Sequence, residues 1–319
     1  MNRRCLALAL ALLMIWPCSA ARALTLSLVG DCSIGTIRYR EKSTDFISKM
    51  KKQGMDYPFS KFYDVFQNDD LTIANCEGVF TTLRAAADKN KLSIYALPEW
   101  AQVFTLGAVD VVNTENNHTY DFGKQGRLDT LAALDEAGIA HFGGGELLII
   151  EVEGITIGMT GYTYPHRYDI SRQEKDIEKL RSEGCEIIIV SMHWGKEESY
   201  KLTAEQKQMG RALIDAGADV VYGHGPHVLQ PVEMYNGKPI IYSLANFTFG
   251  ANAAPKDADT AVLTLVYERE EDAITLTAID AIPARMHNNK DFCPYPYTEG
   301  KDIERVLKKL DMQGGISLP

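Results

Sequence analysis

Four histidines follow apolar runs, at points where a predicted strand gives way to a polar loop. They are His118, His193, His224 and His227. Imidazole nitrogens bind transition metals and also exchange protons near neutral pH. In an open α/β sheet, ligands bind at the carboxyl ends of the strands, so residues distant in sequence can meet there. The pattern therefore predicts a metal centre with acid–base chemistry.

Residues with oxygen ligands also lie at the ends of predicted strands or in the loops that follow them. Asp31 and Glu77 each end an apolar run, and Asn117 directly precedes His118. The predicted metal ligands are Asp31, Glu77, Asn117, His193, His224 and His227. Two carboxylates, an amide oxygen and three imidazoles suit one or two ions of Mn, Fe or Zn better than Ca. Such an ion would activate water or polarise a phosphoryl or acyl oxygen, while His118 protonates the leaving group.

The elements needed to position these residues alternate along the chain. Apolar runs at 24–29, 71–74 and 109–112 are typical of buried strands, and 124–137 is predicted to be an amphipathic helix. Hairpin signals at Glu153-Gly154 and Asn236-Gly237 interrupt the parallel rhythm. The sequence therefore predicts one α/β domain built from two mixed sheets.

Composition limits the classes of protein and partner. Of 319 residues, 45% are hydrophobic and 24% charged, as in ordinary globular proteins. Lys and Arg number 33 against 43 Asp and Glu, for a formal charge of −10. This balance gives no basic surface for a nucleic-acid backbone, so we expect no nucleic-acid partner.

The chain divides into three predicted segments. Residues 1–23 join a basic start to an apolar run and are predicted to be an export signal, with an uncleaved anchor as the alternative. We therefore expect a periplasmic, extracellular or envelope-associated protein. Residues 24–284 form the predicted domain, and 285–319 are expected to be a loose extension carrying one helix at 301–310. Four cysteines follow the signal, and buried thiols are favoured over a Cys32–Cys76 disulfide.

Six motifs occur in an order similar to that of the CapA family of bacterial capsule or poly-γ-glutamate synthesis proteins. They are Val29-Gly30-Asp31, Asn75-Cys76-Glu77-Gly78, Asn116-Asn117-His118 followed by Asp121-Phe122-Gly123, Ser191-Met192-His193-Trp194-Gly195, Gly223-His224-Gly225-Pro226-His227-Val228-Leu229-Gln230-Pro231 and Tyr242-Ser243-Leu244-Ala245-Asn246-Phe247. The resemblance implies the calcineurin-like metallophosphatase fold, a four-layer α-β-β-α sandwich of two mixed sheets. It also implies the ligand set above, with His118 as the acid.

The resemblance adds candidates for substrate binding. They are Asn75, Trp194, Glu197 and Asn246. Alternatively, Trp194 is a core residue, and the acidic loop around Glu197 is a solvent-exposed charged segment. The sequence departs from the superfamily at Asp31-Cys32-Ser33, where the usual pattern is Asp-x-His, and in the spacing of its closing histidine pair.

Two functions follow from these expectations. The first is a metal-dependent hydrolase or transferase that acts on an anionic polymer or a phosphoester through metal-activated water. The second is a non-catalytic, metal-containing accessory or binding protein for polymer synthesis or export, with envelope synthesis proteins as partners.

Overall fold

The computed structural model describes residues 23–37, 45–83, 92–166, 169–252, 254–270, 273–287 and 291–314. The predicted signal lies outside them except for its last residue. Across the described ranges, none of the helices has the length and apolar character needed to cross a membrane.

The secondary structure alternates between strands and helices in the first two thirds of the chain. The strands are β1 (Leu24–Ser33), β2 (Thr36–Ile37), β3 (Leu71–Cys76), β4 (Val79–Phe80), β5 (Ile94–Ala96), β6 (Val111–Asn113), β7 (Ala140–Phe142), β8 (Leu148–Val152), β9 (Ile155–Thr163), β10 (Ile187–His193), β11 (Val220–His224), β12 (Leu229–Tyr235), β13 (Lys238–Leu244), β14 (Asn246–Phe249), β15 (Asp259–Glu270), β16 (Ala273–Arg285) and β17 (Tyr295–Pro296). The helices are α1 (Phe46–Gln53), α2 (Tyr63–Asn68), α3 (Gln102–Leu106), α4 (Gly123–Ala137), α5 (Ile170–Ser182), α6 (Ala204–Asp215) and α7 (Gly300–Lys309).

Two mixed sheets form the centre of the fold. The larger has the order β17-β16-β15-β1-β3-β6-β7, with β14 also paired to β1. In it, β1, β3, β6, β7 and β14 run parallel, and β15 to β17 are antiparallel additions. The second sheet has the order β12-β13-β11-β10-β9-β8, and its two edge strands are antiparallel. A small sheet of β2, β5 and β4 lies beside them.

Three apolar cores separate four layers. The first lies between the two sheets and includes Leu26, Ile73 and Ile189. A second, rich in Phe, packs α1 to α4 against the larger sheet, and a third packs α5 and α6 against the other sheet. Strands buried on both faces require continuous apolar runs such as Ile187–Val190. The predicted α-β-β-α sandwich of two mixed sheets is confirmed.

Local sequence signals define several helix ends. Thr203 and Gln206 form a reciprocal capping box at the start of α6. Gly138 ends α4 in a left-handed conformation, with φ of 74°. The hairpins expected at Glu153-Gly154 and Asn236-Gly237 join β8 to β9 and β12 to β13.

The C-terminal segment, expected to be loose, is packed where the structure describes it. Val306, Leu310 and Met312 are buried in the core between the sheets. The backbone N–H of Val232 on β12 donates to the carbonyl of Leu310 at 2.8 Å. The amphipathic spacing of α7 places its apolar face in the core, which corrects the expectation.

Candidate metal centre

The carboxyl ends of parallel strands from both sheets meet at one edge of the sandwich. Asp31 lies near the end of β1, and Glu77 directly follows β3. His193 and His224 are the last residues of β10 and β11 and are paired in register. The strand order therefore delivers polar side chains from four strands to one place, as the sequence predicts.

Asp31 is fully buried at the centre of this group. Its Oδ1 accepts a hydrogen bond from Nδ2 of Asn75 at 2.8 Å and lies 3.2 Å from Nδ1 of His224. Its Oδ2 lies 3.3 Å from Nδ1 of His227. Burial opposes ionisation, but the two histidines outweigh it and hold the pKa of Asp31 well below its usual value. Asp31 is therefore a carboxylate anion.

Glu77 is fully buried, and neither carboxylate oxygen has a hydrogen-bond partner among the described residues. Burial, followed by the charge of Asp31, raises the pKa of Glu77 to about 8. An ionised carboxylate without donors is costly in an apolar environment unless a cation accompanies it. Glu77 thus has the environment of a metal ligand.

The second sheet contributes two imidazoles to the site, those of His193 and His224. Burial lowers the pKa of His193 to about 3, so its ring is neutral and able to donate a lone pair. The ring of His224 is fully buried and packs edge-on against Tyr222, with ring centroids 4.5 Å apart. Among the described residues, Nδ1 of His193 and both ring nitrogens of His224 make no hydrogen bond.

His227 is held in a left-handed backbone conformation, with φ of 57°. Its Nδ1 donates to Oδ1 of Asn246 at 2.7 Å, which leaves Nε2 facing Glu77, 4.0 Å from Oε1. Burial alone would lower the pKa of His227, but Glu77 and Asp31 raise it to about 10. Asn246, a candidate for substrate binding, orients this ring and also lines the adjacent cavity.

His118 also approaches Glu77, at the same carboxylate oxygen that faces His227. Its Nδ1 donates to Oδ2 of Asp121 at 2.7 Å, and Nε2 lies 3.6 Å from Oε1 of Glu77. Burial would lower its pKa, but Asp121 and Glu77 raise it. Asp121 was not among the predicted site residues, although its i+3 spacing from His118 within a loop is a signal for such a pair.

The two neighbouring asparagines face different environments. Asn117, the predicted ligand, is exposed. Asn116 is fully buried, donating to the carbonyl of Cys76 at 2.8 Å and accepting from the backbone N–H of His118 at 3.0 Å. The loop conformation thus places Asn116 inside and leaves Asn117 outside the buried cluster.

The remaining substrate-binding candidates lie in three settings. Asn75 is fully buried under Asp31. Trp194 lies in the apolar core beside the second sheet, where its indole N–H donates to the carbonyl of Tyr242 at 2.9 Å. This location favours the alternative of a core residue. Glu197 is exposed and lines the cavity.

A cavity of about 330 Å³ opens beside the cluster. His118, His227 and Asn246 form its inner wall. Its outer wall includes apolar side chains and the ion pair between Lys256 and Glu198. A volume of this size suits a small ligand or a short segment of a polymer.

The residues present fit a divalent cation. Asp31, Glu77 and His227 each offer a ligand atom, and these atoms lie within 4.8 Å of one another. Oxygen and nitrogen donors of this kind suit Mn, Fe or Zn. The cysteines next to the ligands, Cys32 and Cys76, are in register on β1 and β3 and are buried free thiols.

Sequence comparison identifies similar proteins. The family model described as "Bacterial capsule synthesis protein PGA_cap" matches residues 25–251. The PGA biosynthesis protein CapA of Bacillus subtilis is 32% identical over 254 residues, which cover 71% of this chain and 63% of that protein. The chain therefore spans less than two thirds of that relative. The capsule biosynthesis protein CapA of Bacillus anthracis is 27% identical over 315 residues, covering 90% of this chain and 72% of that protein.

Structural comparison supports the fold. The calcineurin-like phosphoesterase YfkN from Bacillus subtilis superposes with a TM-score of 0.50 at 13% identity, covering 90% of this chain and 96% of that one. At this identity the likeness concerns the fold alone.

Proposed function

The chain belongs to the bacterial capsule synthesis family PGA_cap, and from this premise we propose that it acts in capsule or poly-γ-glutamate synthesis at the cell envelope. Its proposed activity is that of a metal-dependent hydrolase or transferase acting on the anionic polymer or on a phosphoester. The observation that carries the proposal is the cluster of Asp31, Glu77 and His227, in which both carboxylates are fully buried and the ligand atoms converge beside a cavity.

The proposed ligands come from both sheets. Asp31, Glu77 and His227 would hold the metal. Nδ1 of His193 and Nε2 of His224 are further candidate ligand atoms, since neither makes a hydrogen bond within the described residues. A bound Mn, Fe or Zn ion would supply Lewis acidity to water and to a phosphoryl or acyl oxygen.

His118 is the proposed proton donor to the leaving group. Its Nδ1 proton is engaged by Asp121, so the proton available for transfer is on Nε2. His118 lines the cavity, where a substrate could reach this nitrogen. Asp121 is itself fixed, because its Oδ2 also accepts from the backbone N–H of Ile94 at 2.8 Å.

The proposal is tested by metal analysis of the purified chain, followed by turnover of a phosphodiester and of poly-γ-glutamate. We expect bound metal in the wild type and a loss of at least about 100-fold in turnover in His118→Ala and His193→Ala. His141→Ala is the matched control, because His141 contacts Asp135 and Glu146 and not this site. A metal-free wild type, or equal rates in all four proteins, would refute the proposal.

A non-catalytic role in polymer synthesis is the second candidate. The observation that favours it is Ser33, a buried hydroxyl at the position where the metallophosphatase pattern has an imidazole ligand. A Mycobacterium tuberculosis relative, 29% identical over 219 residues, is named a probable polyglutamine synthesis accessory protein. Metal-dependent binding of the polymer without turnover would select this role.

A further inference from the structure

Polar residues form a row across four adjacent parallel strands of the larger sheet. The row consists of Asn246 on β14, Asp31 on β1, Asn75 on β3 and Asn113 on β6. Each is paired in register with the next, and all four side chains are buried. Of these residues, only Asp31 belongs to the proposed ligand set. The others require a different explanation, because buried amides are costly unless fully hydrogen-bonded.

The orientation of the Asn113 amide is set by the backbone of Glu115. The N–H of Glu115 donates to Oδ1 of Asn113 at 3.1 Å, and Nδ2 of Asn113 donates to the carbonyl of Glu115 at 3.0 Å. A backbone N–H can only donate, so Asn113 must turn its oxygen toward it. Its Nδ2 is thereby available to its other neighbour, Asn75.

The orientation of the Asn113 amide determines the orientation of the Asn75 amide, which in turn hydrogen-bonds Asp31. Nδ2 of Asn113 donates to Oδ1 of Asn75 at 2.9 Å, and Nδ2 of Asn116 approaches the same oxygen at 3.4 Å. Since Oδ1 of Asn75 is occupied by donors, its Nδ2 must face the other way. There it donates to Oδ1 of Asp31 at 2.8 Å.

Two glycines confine the start of this relay. A Cβ at Gly161 would come within 2.2 Å of Oδ1 of Asn113, and a Cβ at Gly143 within 2.6 Å. The backbone therefore packs directly against the Asn113 amide. This close packing leaves the side chain little freedom to adopt another rotamer.

We propose that Asn113, acting through Asn75, is a positioning residue that orients the Asp31 carboxylate for the metal. The inference rests on the proposed metal centre and extends it to a residue that touches neither metal nor substrate. By fixing which atom of Asn75 faces Asp31, these hydrogen bonds hold Oδ1 of the carboxylate in place, while Oδ2 accepts from the backbone N–H of Gly225 at 3.4 Å and faces His227. Partners of this kind typically change metal affinity by about 10- to 100-fold.

The test uses Asn113→Asp in the full chain. The new carboxylate accepts from Glu115 as before but presents only acceptors to Asn75, which must then turn its Nδ2 away from Asp31. Titration calorimetry with MnCl₂ should show affinity at least about 10-fold weaker than that of the wild type. Asn113→Leu, of similar volume and without charge, leaves only the longer hydrogen bond from Asn116 to orient Asn75 and should show a smaller loss.

Gln173→Glu is the matched control, because Gln173 is a fully buried amide in α5 outside the row. Circular dichroism and thermal unfolding verify that each variant is folded. A structural role alone would make affinity follow stability in all variants, including Gln173→Glu. Wild-type affinity in folded Asn113→Asp or Asn113→Leu would overturn the relay while leaving the metal centre intact. A wild type that binds no Mn²⁺ would overturn both.

Discussion

Nε2 of His118 lies 3.6 Å from Oε1 of Glu77, while Nδ1 of the same ring donates to Asp121 at 2.7 Å. The ring of His118 therefore lies between two carboxylates. Asp121 accepts a hydrogen bond from it, whereas Glu77 has no hydrogen-bond donor within the described residues. Asp121 orients the ring, whereas Glu77 is one of the proposed metal ligands.

Replacing Asp121 should affect proton transfer more than metal binding. In Asp121→Asn we expect the turnover number to fall by about 10-fold, because the ring of His118 loses its charged partner. Mn²⁺ affinity, measured by calorimetry, should change by less than about 3-fold, since Asp121 is not a proposed ligand. Asp135→Asn is the control, because Asp135 contacts His141 elsewhere. An equal loss of turnover in both variants would contradict the assigned role.

Replacing Glu77 should remove the response of the protein to metal. At a metal concentration of 100 times Kd, binding stabilises the native state by about 2.7 kcal/mol. We expect MnCl₂ to raise the Tm of the wild type and EDTA to reverse the effect, whereas Glu77→Gln should show little shift. Glu198→Gln changes the same type of residue at the cavity wall and should retain the shift. A full shift in Glu77→Gln would exclude this carboxylate as a ligand.

Asp69, which lies outside the proposed metal centre, should make the free energy of unfolding depend on pH. Burial raises its pKa to about 6 from 3.8, so the folded chain binds this proton more tightly than the unfolded chain. The stabilisation that the folded chain gains by binding this proton is complete below pH 4 and is lost as pH rises through 6. Asp69→Asn should therefore increase the free energy of unfolding by about 2 kcal/mol at pH 7.5, and the difference should vanish at pH 3.5.

Urea denaturation at the two pH values measures the effect. Glu304→Gln on the exposed face of α7 should leave both values unchanged. A constant difference between Asp69→Asn and the wild type across this pH range would mean that Asp69 does not titrate in the expected way.

The packed C-terminal segment, in which Leu310 directly follows α7, should contribute to global stability. Leu310 is fully buried between the sheets, so Leu310→Ala should lower the free energy of unfolding by about 2–5 kcal/mol in urea denaturation. Leu128→Ala, at a side chain 44% exposed on α4, should change it by less than about 0.5 kcal/mol. Similar values for the two variants would show that the helix is dispensable.

The sequence was sufficient to predict the family, the two mixed sheets and the convergence of several polar side chains at one edge. Those predictions depend on apolar strands and on the rule that loops at strand ends share an edge. The rule applies to Asp31 and Glu77 because each follows a long buried run. It also applies to His193 and His224, which end adjacent strands of the second sheet.

Loop conformation and packing limited the remaining predictions. Which of Asn116 and Asn117 faces inward depends on the carbonyl of Cys76, a contact that sequence spacing does not reveal. Asn113 was missed because its neighbours in the row come from other strands. The available signal was that Asp31, Asn75 and Asn113 each follow an apolar run, in three predicted strands.

The pairing of β1 with β15 has a consequence for how the chain acquires its structure. The strand that begins the described fold, and that carries Asp31, lies between β3 and a strand from the last third of the sequence. A growing polypeptide therefore exposes one hydrogen-bonding edge of β1 until that late strand has been synthesised. Contacts of such sequence separation slow folding and leave intermediates with an unpaired strand edge open to aggregation.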